Sequence, residues 1–114
     1  MKVVYLAGPL RASNQWEREL HIRLAESLSY ELWLKGFAVI CPHTMVRFFD
    51  GALDDEVGIK GDLEILSRCD AVFLIPGWRR SEGTLQEQEC AMAKGIPVFD
   101  IVNDLLKWRD KTDG

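Results

Sequence analysis

No apolar run in this chain is long enough to cross a membrane, and no leader-like segment is expected ahead of the first strand. Cysteine is scarce. Cys41, Cys69 and Cys90 form an odd, scattered set without CxxC spacing, which reads as small core hydrophobes in a reducing compartment. The cytoplasm is the expected location. Histidine is scarcer still, with only His21 and His43, so no Ser-His-Asp arrangement and no cluster at metal-ligand spacing is visible. No metal and no cofactor is implied. The familiar phosphate loops are missing too: there is no GxGxxG after the first strand and no GxxxxGK[ST] anywhere. That argues against a dinucleotide oxidoreductase and a P-loop NTPase. Basic charge is not in surplus. Fourteen Lys and Arg stand against 18 Asp and Glu, a net charge of −4, which argues against binding a nucleic acid polymer. A single nucleotide held by a local pair of arginines remains compatible with that balance.

What is present is an ordinary globular composition, 47% apolar and 28% charged, over 114 residues. That length suits one domain, residues 1–114, with one core. Val3 to Ala7 reads as a first strand, ended by Gly8-Pro9. A helix capped by Ser13 or Asn14 follows, with Trp16, Leu20, Leu24, Leu28 and Leu32 recurring every four residues, up to about Lys35 and Gly36. Phe37 to Cys41 is a second strand. His43 to Asp50 has no period, and the acidic, glycine-flanked Gly51 to Gly58 reads as a mobile loop. A short helix is expected from about Ile59, with Asp62 at its start. Ala71 to Ile75 is a third strand, Ile96 to Ile101 a fourth, and Asp104 to Arg109 a short terminal helix. This alternation predicts a small doubly wound parallel α/β sheet of four to five strands, with helices on both faces.

The chemistry-bearing residues gather after the third strand. A continuous apolar run leads to Pro76-Gly77, then to Trp78-Arg79-Arg80-Ser81, and then to a helix expected from Thr84 to Lys94. Loops at strand C-termini share one edge of a parallel sheet, and such edges bind ligands. A helix mouth there favours an anion such as phosphate. The edge would gather Tyr5, Arg11, Asp62, Arg79, Arg80, Ser81 and Glu87. Plainer roles exist for most of them. Thr84-x-x-Glu87 is also a capping box, Asp62 a helix-start cap, and Arg79-Arg80 a solvated pair. Tyr5 reads as core with its hydroxyl at an edge, and His43 carries no argument.

Three motifs taken together carry more weight. Tyr5-Leu6-Ala7-Gly8-Pro9-Leu10-Arg11, Gly61-Asp62-Leu63-Glu64, and Gly83-Thr84-Leu85-Gln86-Glu87 after the strand entered by Cys69-Asp70 resemble the nucleoside 2-deoxyribosyltransferase-like superfamily. Its small bacterial and phage members of unknown function carry a Gly-Trp-x-x-Ser-x-Gly loop like Gly77 to Gly83. The resemblance implies cleavage of an N-glycosidic bond. Glu87 would attack C1′ and form a glycosyl-enzyme, Asp62 would assist the leaving base, and Tyr5 would orient the nucleophile. Gly8, Arg11, Ser81, Gly83 and Thr84 would contact substrate. A base as acceptor makes the enzyme a transferase, and water makes it a hydrolase.

Ser81 stands where deoxyribosyltransferases carry an acidic residue. The related deoxynucleoside monophosphate N-glycosidases have serine there, contacting a 5′-phosphate, and an arginine matching Arg11. Both tilt the resemblance toward a nucleotide, while Pro9 replaces a serine of those hydrolases. Two alternatives stand beside this reading: a phosphoribohydrolase of the cytokinin-activating type, and a non-catalytic nucleotide-binding or sensing module. The resemblance also implies a homo-oligomer, with Trp33, Phe48, Phe49 and Trp108 as residues for the interface.

Overall fold

The computed structural model describes residues 1–45, 49 and 52–113; Phe48 lies outside them. The chain begins with β1 (Val3–Ala7), α1 (Gln15–Leu34), β2 (Ala38–Ile40) and a single turn, α2 (Pro42–Met45). It continues with α3 (Asp55–Leu66), β3 (Ala71–Leu74) and a 3₁₀ turn at Trp78–Arg80. Then come α4 (Glu82–Ala93), β4 (Val98–Phe99) and α5 (Val102–Asp113). The strands form one sheet in the order β2-β1-β3-β4, and every pairing is parallel. The doubly wound α/β expectation holds, with four strands.

Period-2 alternation divides the strand side chains between two cores. Val4 and Leu6 of β1, with Ala71 and Phe73 of β3, face Ala25 and Leu32 of α1 and Leu105 of α5. Tyr5 and Ala7, with Val72 and Leu74, face Leu66 of α3 and Ala91 of α4. Both sheet faces are therefore covered, which explains why the strands read as continuous apolar runs rather than as alternating ones. The winding explains the division. From β1 to β2 the chain moves one way across the sheet, and from β2 to β3 and on to β4 it moves the other way. Right-handed crossovers then put α1 on one face and α3 and α4 on the opposite face.

Several boundaries differ from the sequence expectation. The four-residue spacing in α1 does not mark one face. Each step of four advances about 40° round a helix, so Trp16 and Leu32 end up about 160° apart. Leu32 is buried with Ile22 and Ala25, while Trp16, Leu20, Leu24 and Trp33 are exposed. The cap is Asn14, whose side chain accepts from the Glu17 N–H at 2.9 Å. The segment read as loop up to Gly58 is already helical from Asp55, because Asp54 caps α3 by accepting from the Glu56 N–H at 3.2 Å. Asp62 therefore lies mid-helix, not at a start. At the C-terminus α5 is longer than expected. Trp108, one of the residues expected at an interface, is partly buried on the core and packs against Phe99, with ring centroids 5.6 Å apart.

Candidate active site at the crevice between β1 and β3

The loops leaving β1 and β3 depart toward opposite faces of the sheet, which opens a crevice at their C-terminal ends. A cavity of about 840 Å³ lies there. Its walls come from the β1–α1 loop, from α3, and from the segment joining β3 to α4. Two glycines shape this edge. A Cβ on Gly8 would stand 2.6 Å from Ile75 Cβ, so the two strand ends can approach only without a side chain there. Gly77 has φ 92°, the left-handed region that lets the chain turn sharply after β3.

Three of the expected residues meet on the α3/α4 side. Tyr5 is fully buried, and its hydroxyl donates a hydrogen bond to Oε2 of Glu87. Asp62 and Glu87 both line the cavity. Burial, then the charges of Glu87 and Asp62, hold the Tyr5 phenol far above its usual range, so it stays a proton donor. Glu87 is pushed up to about 7, mainly by burial; the Tyr5 hydrogen bond opposes the shift and the Asp62 charge adds to it. Burial also raises the Asp62 pKa from its ordinary value. The result is a carboxyl near half-ionisation at neutral pH, one of whose oxygens is fixed from behind by a permanent donor.

The capping reading of Glu87 is overturned. Helix α4 opens at Glu82, and its cap is Ser81, whose Oγ accepts from the Thr84 N–H at 3.2 Å. Glu87 thus lies more than a turn beyond the cap, where it has no orphan N–H to serve. Thr84 is buried, and its hydroxyl also donates to Ser81 Oγ, at 2.9 Å. With two hydrogen bonds accepted, Ser81 keeps its own proton as its remaining capacity, which suits an anionic partner. Gly83 also lines the cavity, and a Cβ there would meet nothing nearer than Ser81 Oγ at 4.0 Å. Arg11 and Arg80 line the cavity as well, whereas Arg79 stacks on Trp78, 4.6 Å from the ring centroid.

Two residues gain importance only in three dimensions. His43 is 4% exposed, and its Nε2 lies 2.9 Å from the Pro9 carbonyl. A carbonyl only accepts, so Nε2 carries the proton. Burial keeps the imidazole pKa below its ordinary value, and Nδ1 has no partner among the described residues. His21 Nδ1 donates to the next carbonyl, that of Leu10, at 3.2 Å. Both histidines therefore tie down the loop that carries Arg11. The second surprise is Asp55, whose carboxylate pairs with Arg11 at 2.7 Å. Nothing in the sequence links residues that far apart. Among the described residues, no group of three His, Cys, Asp or Glu side chains could hold a metal ion. The profile of a family described as a domain of unknown function, DUF4406, matches residues 2–100. No curated protein matches the chain.

Proposed function

We propose that this chain, which belongs to the DUF4406 family, cleaves the N-glycosidic bond of a nucleoside or nucleotide with Glu87 as nucleophile. The observation that carries the reading is the half-buried Tyr5–Glu87 hydrogen bond at the wall of a cavity that also holds Asp62. It is supported by the likeness of the three motifs to the nucleoside 2-deoxyribosyltransferase-like superfamily. In this reading Tyr5 fixes one Glu87 oxygen and leaves the other to attack C1′. The C1′–N bond breaks, its electron pair leaves with the base, and protonated Asp62 supplies the proton. Water or a second base then attacks C1′ and releases the Glu87 carboxylate, while Asp62 takes the proton back.

A nucleotide fits better than a nucleoside, because Arg11, Arg80 and the Ser81 hydroxyl stand on the same cavity. Losing a charge-assisted contact costs about 1.5–3 kcal/mol, or roughly ten- to a hundred-fold in affinity. Arg11→Ala should therefore weaken 5′-monophosphates by about that factor and nucleosides hardly at all; equal weakening of both would remove the phosphate from this site. The function itself is tested by incubating the protein with nucleosides, nucleotides and NAD and measuring free base, with Glu87→Gln as the blank. Base release by the wild type alone is the expected result. Ligand binding without base release from any of them would leave a binding module instead.

A further inference from the structure

Arg11 is not waiting empty-handed. Its Nη2 lies 2.7 Å from Asp55 Oδ2, with both side chains 72% exposed and both on the cavity wall. Arg11 belongs to the loop after β1 and Asp55 to the first turn of α3, so the pair joins two walls at the mouth. Asp55 is not needed as a cap, because Asp54 performs that task. A carboxylate in the first turn does favour the helix dipole, but that role requires no arginine.

We propose that Asp55 is a specificity-determining residue: it occupies Arg11 in the free protein and competes with a ligand's phosphate for it, which narrows the preference for phosphorylated over neutral ligands. The proposal rests on the reading of the cavity as a nucleotide site. The single Nη2–Oδ2 contact uses little of the guanidinium fork, whereas a phosphate can engage two of its N–H groups at once. A phosphate group therefore gains by the exchange, and a sugar hydroxyl does not. A neutral nucleoside leaves the pair closed across the mouth. Because an exposed ion pair is weak, its competition should lower phosphate affinity only about two- to five-fold, which trims the phosphate preference without abolishing it.

The test is calorimetric titration of inorganic phosphate, a nucleoside 5′-monophosphate and the matching nucleoside at one ionic strength. The proteins are wild type, Asp55→Asn, Asp54→Asn, Arg11→Ala and the Arg11→Ala/Asp55→Asn double variant. Asp54→Asn keeps a good cap while removing an adjacent charge, so it measures the general field. Asp55→Asn is expected to tighten phosphate and monophosphate about two- to five-fold and to leave the nucleoside unchanged. Asp54→Asn should do less, and in the Arg11→Ala background Asp55→Asn should do nothing. Unchanged or weaker phosphate binding in Asp55→Asn would overturn the proposal. So would tightening that survives Arg11→Ala or is matched by Asp54→Asn, or a wild type and Asp55→Asn that bind neither phosphate probe. The inorganic phosphate arm needs no turnover, so a failure to release base from any nucleotide would sink the glycosidase reading alone. Base release with no effect of Asp55→Asn would sink this proposal alone.

Discussion

At the scale of single residues, Glu87 serves chemistry against stability. Its pKa rises from the ordinary 4.5 to about 7, so between those values the folded protein holds a proton that the unfolded chain has released. Stability is therefore full below the unfolded value and falls as pH rises through the folded one. At 1.36 kcal/mol per pH unit, the loss is on the order of 3 kcal/mol once Glu87 is ionised. Glu87→Gln has no charge to bury, so it should gain on the wild type by about 1–3 kcal/mol between about pH 5 and about pH 8. Melting curves at the two pH values check this; a constant difference would mean that Glu87 is not desolvated. Activity has the opposite sign. The nucleophile must be ionised, so kcat/KM should climb with pH and bend near 7. Tyr5→Phe removes the hydrogen bond that lowers the Glu87 pKa, so the rising limb should move to higher pH. An unmoved limb would assign it to another group.

At the scale of elements, two of the glycines on the cavity, Gly8 and Gly83, separate packing from ligand space. Gly8→Ala would drive a Cβ into Ile75 Cβ, a backbone-anchored atom that cannot swing aside, at a cost of about 1–3 kcal/mol. Gly83→Ala meets open space in the first turn of α4, so its melting temperature should hold or rise while nucleotide affinity falls. Loss of stability in Gly83→Ala with affinity intact would reverse that assignment. The elements also show what a sequence conveys. The strands were legible because burial on both faces leaves uninterrupted apolar runs. Helix α3 was not legible at its start, because Gly58 and Gly61 sit inside it and mimic loop punctuation. The signal that could have found it is Asp54 followed by Asp55 and Glu56, a cap with an acidic first turn. Missing that start displaced Asp62 to a helix end and hid the Arg11–Asp55 pair. His43 was illegible for a different reason: its partner is a backbone carbonyl contributed by another loop.

At the scale of the whole molecule, the order β2-β1-β3-β4 brings Tyr5, Asp62 and Glu87 to one side of one crevice. The motifs were legible as separate stretches, and only the sheet order says why they converge. The expected homo-oligomer is a prediction with a face attached. Of the residues expected there, Trp33 and Phe49 are each 51% exposed, and α1 adds Trp16, Tyr30 and Leu34 at 64%, 66% and 69%. Light scattering at micromolar concentration should give a multiple of the 13.0 kDa chain mass, and a fully active monomer would contradict that expectation. The central claim is that Glu87 bonds covalently to the sugar. It is tested most directly by peptide mass spectrometry after reaction with a 2-fluoro analogue of a confirmed substrate, which slows breakdown of a glycosyl-enzyme. The expected result is a sugar-sized mass increase on the peptide and residue of Glu87. A sugar adduct located on any other residue would contradict the assignment.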